Sequence, residues 1–337
     1  MKAVALTRYL PITDPDALLD VTLPKPVASG RDLLVRVEAI SVNPVDYKVR
    51  APKDKVEPSP RVLGWDAAGV VEAVGPEVTL FRPGDAVYYA GDITRPGSNA
   101  EFQLVDERIV AAKPRTLGYA EAAALPLTAI TAWESLFDRL RVDRHGTDAG
   151  KTALIIGGAG GVGSIAIQLA KQAGLTVIAT ASRPESRDWV LKLGADHAID
   201  HRGDLVAAVR QLGLKYVDYV LCFNDTDGHM AAMAELIVPQ GNIVTIVENA
   251  QPLRLEPLKP KSAGFLQEFM FTRAMFQTPD MIAQHQLLTE VARLVDAGAL
   301  RTTVGEHYGA INAANLRRAH VTLEAGRAIG KIVLAGF

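Results

Sequence analysis

Two rhythms of apolar and polar positions divide the chain. Up to about residue 125, β-branched runs at Leu33–Ile40, Ala67–Val74 and Asp85–Tyr89 predict strands. The turns Val74-Gly75-Pro76 and Arg82-Pro83-Gly84-Asp85 separate them, so this part reads as an irregular, mostly β domain. From Leu125 onward, short apolar runs alternate with helical segments. The runs are Ala153–Ile156, Thr176–Ala181, Ala198–Asp200, Tyr219–Phe223 and Asn242–Val247, an alternation that predicts parallel β–α–β units in a doubly wound α/β sheet. After about residue 272 the pattern predicts helices over Pro279–Ala297 and Ala313–Ala325, then a short strand, Lys331–Leu334. A lone terminal strand needs a sheet to join, and the first domain is the expected one.

The first strand and helix of the second rhythm carry the clearest chemistry. In KTALIIGGAGGVGSIAIQLAK (Lys151–Lys171), a buried strand runs into a glycine-dense turn and then a helix. Gly158, Gly160 and Gly163 satisfy G-x-G-x-x-G in the strand–turn–helix context that gives the pattern meaning. Glycine permits the tight turn and close backbone approach, and the amides at the helix start attract phosphate. The loop Gly158, Ala159, Gly160, Gly161, Val162 and Gly163 is therefore the expected pyrophosphate cradle of a dinucleotide. NAD-binding versions often place an acidic residue about 20 residues later, on the ribose 2′-hydroxyl. Here the second strand ends in Ser182 and Arg183, which favours the 2′-phosphate of NADPH, with Arg187 one helical turn on. Two plainer readings compete: a membrane span over the uncharged stretch Thr152–Ala170, and a merely structural glycine turn. The glycine-rich centre and Gln168 argue against the span.

Composition narrows the function classes. A chain of 337 residues is long for one core, and 48% hydrophobic with 22% charged residues is ordinary for a globular protein. A net charge of −2, without a dense basic run, predicts neither nucleic-acid nor membrane binding. No signal peptide is evident at the N-terminus, so the cytoplasm is the default. The single cysteine, Cys222, excludes an intrachain disulfide and reads as a buried strand residue.

In order along the chain stand NPVDYKVR (Asn43–Arg50), GWDAAGVVEAVG (Gly64–Gly75), RPGDAVY (Arg82–Tyr88), LPLTAITAWESL (Leu125–Leu136), the glycine loop and GRAIGKIVL (Gly326–Leu334). With these motifs the chain resembles the medium-chain dehydrogenase/reductase superfamily, in its zinc-free quinone-oxidoreductase (zeta-crystallin-like) branch. The resemblance implies a GroES-like, mostly β catalytic domain built from residues 1–125 and 273–337, around a Rossmann NADP(H)-binding domain over 126–272. It also implies an active site in the cleft between them, and a homodimer. Zinc-dependent relatives carry a Cys near the NPVD position and a His-Glu pair after the glycine matching Gly64. Here those places hold Asn43, Trp65 and Asp66, and the first histidine is His145, so no metal site is expected.

Candidate residues follow, each beside its plainer reading. Tyr47 can donate to a developing enolate or hydroquinone oxygen, and relatives place a tyrosine near here facing the nicotinamide; the alternative is a half-buried packing tyrosine. Asn43 and Asp46 read as a capped turn, with contact to a substrate carbonyl as the chemical option. Lys48 is either solvated or lowers the tyrosine pKa. Trp65 and Asp66 read as pocket-shaping. His201 matches a position where relatives hold a tyrosine beside the adenosine phosphate, against a surface histidine. Thr128 matches a position near the nicotinamide, against a helix-packing threonine. Phe223 and Val247 end the fourth and fifth strands, where such sheets place their ligand crevice. Lys331 resembles a position near the cofactor phosphates. The run FLQEFMFTRAMF (Phe265–Phe276) reads as core or dimer contact, or else as an apolar lid over a quinone. The expected activity is zinc-independent hydride transfer from NADPH to a quinone or an α,β-unsaturated carbonyl. An enoyl-thioester reductase, or an NADPH-binding sensor or structural protein with little turnover, are the alternatives.

Overall fold

The computed structural model describes all residues, Met1–Phe337. The chain forms two units, one from Met1–Ile130 and Phe271–Phe337, the other from Thr131–Met270. In the N-terminal part of the first unit the strands are β1 (Lys2–Tyr9), β2 (Leu19–Thr22), β3 (Asp32–Val42), β4 (Lys53–Val62), β5 (Ala67–Val74), β6 (Ala86–Tyr89), β7 (Phe102–Asp106) and β8 (Val110–Ala112). Helices α1 (Pro44–Arg50), α2 (Tyr119–Ala123) and α3 (Pro126–Trp133) lie among and after them. The second unit contains β9 (Thr152–Ile156), α4 (Gly161–Gln172), β10 (Thr176–Thr180), α5 (Pro184–Lys192), β11 (His197–Ile199), α6 (Leu205–Gln211), β12 (Val217–Cys222), α7 (Thr226–Leu236), β13 (Ile237–Thr245) and β14 (Gly264–Gln267). The C-terminal segment adds α8 (Thr272–Met275), α9 (Ala283–Asp296), β15 (Val304–His307), α10 (Ala313–Glu324) and β16 (Lys331–Ala335).

In the second unit six strands lie in the order β11-β10-β9-β12-β13-β14, and every pairing is parallel. Such strands are covered on both faces, which is why Ala153–Ile156 and Val220–Cys222 are unbroken apolar runs with no exposure. Met230, Met233 and Leu236 from α7, with Leu205 and Val209 from α6, close one side of this core. The chain leaves β9 in one direction and later returns to its other side as β12, so the winding reverses there. The carboxyl ends of β9 and β12 therefore flank the topological switch point, where such sheets hold their ligands.

The first unit is built on two sheets. A three-stranded sheet has the order β2-β1-β4; a seven-stranded one runs β15-β16-β3-β5-β6-β8, with β7 also on β3. The terminal strand β16 joins β3 antiparallel, pairing Ile332 with Val42 and Leu334 with Ile40. Helix α9 buries Leu287, Leu288, Val291, Ala292 and Val295, one stripe at helical spacing. Its Leu288 carbonyl accepts from the buried Tyr88 hydroxyl of β6 at 2.6 Å. The chain's two ends thus make one body.

Thr152–Ala170 is the expected strand, turn and helix, and no helix of the chain is long and apolar enough to cross a membrane. In the aromatic run Phe265–Phe276, β14 takes the beginning and α8 the end; Met270 and Phe271 are buried, while Phe269 and Phe276 are exposed. The helix expected from Pro279 begins at Ala283, past the Thr278–Asp280 turn that ties Thr278 Oγ1 to the Asp280 carboxylate at 2.6 Å.

Gly69 sits at the centre of β5, opposite Val37 and Val87. A methyl there would meet the Arg36 carbonyl oxygen at 2.1 Å. Gly69→Ala is expected to destabilise the first unit by about 1–3 kcal/mol or more, read as a lowered thermal midpoint; an unchanged midpoint would show that β5 can shift.

Candidate active site: a glycine loop and a buried charge cluster

In the second unit, β9 ends in Gly157, held at φ +86°, a region that glycine enters freely. Its amide donates to Thr180 Oγ1 at 2.9 Å, and the Gly158 amide donates to the Thr180 carbonyl at 3.1 Å. The loop is thus tied to the end of β10. A Cβ on Gly163 would lie 2.3 Å from the Gly157 carbonyl oxygen, and one on Gly158 would lie 2.9 Å from Ala179 Cβ. These two glycines let loop, helix and strand touch. Gly160 is exposed, Ala159, Gly161 and Val162 are partly so, and no side chain caps α4. The first-turn amides of a 12-residue helix are left for an anion.

Around this loop stand the other cofactor candidates of the unit. Ser182 and Arg183 follow β10 and are half-buried, with Arg183 opening α5 and its amide donating to Ser186 Oγ at 3.1 Å. Arg187 is exposed on the first turn. His201, after β11, packs edge-to-face on His229 of α7 at 6.2 Å, and its Nδ1 is buried without a partner. Burial, then the neighbouring His229, pushes the His201 pKa down. Phe223 and Val247 follow β12 and β13 and are half-buried, the Val247 carbonyl accepting from Thr226 Oγ1 at 2.8 Å. Cys222 lies buried at the end of β12, its thiol pushed up to about 11 by burial.

The first unit holds a different constellation. β3 ends at Val42, and Asn43 begins α1 in extended backbone. The Asp46 carboxylate reaches back one turn to accept from the Asn43 amide at 2.6 Å. Gly64 (φ +106°) turns the chain into Trp65 and Asp66. Asp66 Oδ1 accepts from the Leu127 amide, in the first turn of α3, at 2.8 Å. Asp66 Oδ2 accepts from Asn43 Nδ2 at 2.8 Å and from Lys331 Nζ at 3.0 Å. Lys331 also donates to the Val42 carbonyl at 2.9 Å and to Asn43 Oδ1. Its three N–H donors meet three acceptors. Exposure is 3% for Lys331, 1% for Asn43 and zero for Asp46 and Asp66.

This arrangement sorts the sequence candidates. Lys331 is not placed to meet a phosphate: all its donors are engaged inside the first unit. Asn43 is equally saturated, since Nδ2 also donates to the Trp65 carbonyl at 3.3 Å, so it follows the structural reading. Trp65 is core, its Nε1 donating to the Asp92 carbonyl and its ring packed edge-on against Phe271. Thr128 is 2% exposed, and its hydroxyl donates to the Leu125 carbonyl at 3.0 Å, as a helix-packing threonine does. Lys48 is exposed. Tyr47 is half-buried; burial, and then the Glu324 charge, raises the pKa of its phenol, the opposite of the lowering considered for Lys48.

One group of the cluster is unsatisfied: Asp46 Oδ1 is buried without a partner. Burial pushes this carboxyl up to about 7, against the pull of the Asn43 amide and the Lys331 charge. Sequence reasoning missed a second anchor. Arg50, at the other end of α1, is buried and donates to the Leu10 carbonyl, to the Glu324 carboxylate and, at 3.3 Å, to His320 Nδ1. Burial and the Arg50 charge push His320 down to about 3, so this imidazole is neutral. Nothing local in NPVDYKVR signals those partners, which lie 40 to 274 residues away.

Comparison with known proteins places the chain. Models of the alcohol dehydrogenase GroES-like domain and of zinc-binding dehydrogenases match residues 29–130 and 193–334. A zinc-type alcohol dehydrogenase-like protein of Staphylococcus aureus Mu50 is 48% identical over 311 residues, covering 92% of each chain. A 2-methylene-furan-3-one reductase of Solanum lycopersicum is 41% identical over 213 residues, 60% of this chain and 52% of its own. Among solved structures, a protein of Rhizobium etli CFN 42 assigned to the zinc-dependent alcohol dehydrogenases superposes with TM-score 0.96 at 55% identity, over 100% of this chain and 98% of that one. A quinone oxidoreductase of Coxiella burnetii gives 0.83 at 28% identity, over 100% and 99%. The chain belongs to the medium-chain dehydrogenase/reductase superfamily, with its Rossmann-like and GroES-like domains, and is an oxidoreductase of that family.

The Asp46 environment fixes a pH dependence. Its folded pKa, about 7, lies above the unfolded value of 3.8, so the native state binds the proton more tightly. The stabilisation is fully present below pH 3.8, declines as the pH rises and is gone above about 7. Asp46→Asn cannot ionise. Its thermal midpoint is expected to gain on the wild type between pH 4 and 7 and then run parallel, with an integrated effect of a few kcal/mol. Parallel curves across the whole range would mean that folding does not raise the Asp46 pKa.

Proposed function

We propose that this medium-chain dehydrogenase/reductase transfers hydride from NADPH to a quinone or an α,β-unsaturated carbonyl without zinc. The observation that supports this most is the saturated cluster of Lys331, Asp66 and Asn43. A tetrahedral zinc site draws on thiolate, imidazole and carboxylate ligands. The corresponding residues here are an amide, an indole and a carboxylate already accepting three hydrogen bonds, one of them from an ammonium. No three His, Cys, Asp or Glu side chains come together anywhere as a metal-binding group. The names of the Staphylococcus and Rhizobium relatives refer to zinc, but these residues do not fit it.

Oxidising a simple alcohol calls for Lewis-acid help in removing its proton. A conjugated carbonyl is already electrophilic, and the Coxiella and tomato relatives are named for acceptors of that kind. When bound, NADPH supplies the hydride for the conjugated carbon. The chain's own residues do the rest. The α4 amides and the glycine loop hold the pyrophosphate, and Ser182 and Arg183 take the 2′-phosphate. Hydride addition moves the double bond and leaves negative charge on the acceptor oxygen. Tyr47 serves that oxygen as donor, and a proton from the phenol or from water completes the reduction. A raised pKa keeps this phenol protonated at neutral pH, as a donor must be.

Fluorescence titration is expected to show tighter binding of NADPH than of NADH, with the preference falling about tenfold or more in Arg183→Ala. Equal affinities would return the chemistry to NAD, and no binding of either would favour a protein without this turnover. With a panel of quinones and enones, Tyr47→Phe is expected to lower kcat about 100-fold with little change in KM. Full kcat on every accepted substrate would remove Tyr47 from the reaction.

A further inference from the structure

Beyond β11, the loop Asp200-His201-Arg202 carries a cation that the glycine motif and the β10 exit do not reveal. The Asp200 carboxylate accepts from Arg202 Nε at 3.2 and 3.3 Å and from Nη2 at 2.8 Å. It also accepts from the Arg202 amide at 2.9 Å, which closes the loop into a tight turn. The other Nη2 hydrogen goes across to the Ser182 carbonyl at 2.7 Å. Arg202 is therefore tied to the exits of two adjacent parallel strands, β10 and β11.

A guanidinium carries five N–H donors in one plane. Three are engaged by Asp200 and Ser182, and the two on Nη1 meet no acceptor in the protein. The Arg202 side chain nonetheless remains 64% exposed. Its charge-assisted fork holds the plane in place and leaves one edge open. Arg187, by contrast, is exposed on α5 with no such fork, and would lose more side-chain freedom on meeting a ligand. Asp200 stays ionised, held down at about 2 by Arg202, so the tether persists through neutral pH. The other charged and titratable groups of this corner are Arg183, the half-buried His201 and His229, and Asp225, the cap of α7.

We propose that Arg202 joins Ser182 and Arg183 in discriminating a 2′-phosphorylated dinucleotide from an unphosphorylated one, presenting its Nη1 edge to the phosphate beside Ser182. Asp200 is its positioning residue. The inference rests on the NADPH reading of the same site, and goes beyond it by adding a second cation, on the neighbouring strand exit, to the discrimination.

The test uses the full chain and four probes: NADPH, NADH, 2′,5′-ADP and 5′-AMP. In the wild type, NADPH and 2′,5′-ADP are expected to bind at least tenfold tighter than their unphosphorylated counterparts. Arg202→Ala is expected to reduce both ratios about tenfold while leaving NADH and 5′-AMP unchanged, which also reports intact folding. Arg202→Lys recovers only part of the ratio, because a point charge lacks the fork. Asp200→Asn lowers the ratio with Arg202 still present, a change that a purely structural loop residue would not make in the ratio alone. If Arg202→Ala keeps the wild-type ratios, this proposal fails while the NADPH reading stands. If the wild type itself shows no preference, the NADPH reading fails and takes the proposal with it.

Discussion

The fold of the first unit depends on one buried ammonium. Lys331 draws together the end of β3, the start of α1, the approach to β5 and, through Asp66, the first turn of α3. Its partners at Val42, Asn43 and Asp66 lie 289, 288 and 265 residues away. Taking an ammonium and a carboxylate out of water costs several kcal/mol each, and the pair is tolerated only with good geometry and satisfied hydrogen bonds. Here the geometry is complete on the lysine side, with three donors and three acceptors. Removing one partner would strand a charge in the interior, at about 3–5 kcal/mol. The terminal strand is thereby specified in place and register, because β16 must present Lys331 where β3 turns into α1.

The same cluster shapes the chemistry of α1. A seven-residue helix has little stability of its own. It is held at its start by Asp46 reaching back to the Asn43 amide, and at its end by Arg50 bound to Leu10, Glu324 and His320. Tyr47 lies between those anchors. Its helix is thus held by two buried side chains, and the Glu324 that pairs with Arg50 also raises the phenol pKa.

What could be read from sequence follows the range of the interactions involved. The strand over Ala67–Val74 matches β5 end to end, and β9 and β10 fall within a residue of expectation, because apolar runs bounded by turns are local signals. The glycine loop is legible for the same reason: strand, turn and helix are contiguous. The partners of Lys331 are not legible locally, because they are close only after the chain ends meet. As part of a local motif this lysine could pass for a phosphate ligand; in the fold every donor faces inward. The tether of Arg202 is not legible locally either, because its partner Ser182 lies 20 residues away at a neighbouring strand exit. The secondary structure of Phe265–Phe276 is not legible, because an apolar sequence suits strand, turn and helix alike, and pairing with β13 decides for the strand at its start.

The two anchors of α1 answer differently to protons, and this determines where pH acts. At the Arg50 end, His320 is driven so far down that it stays neutral across the physiological range. That contact does not change near neutrality. At the Asp46 end, a carboxyl near 7 faces Asp66 and Lys331, with one oxygen unpartnered. Burial also pushes the Asp66 carboxyl up, against the pull of the Lys331 charge, and an ionised Asp46 adds a further negative charge beside it. A rise in pH through 7 therefore loads the start of α1 and leaves its end fixed. Tyr47 is the next residue, so the helix that carries it is tied to a carboxyl that the fold keeps dry.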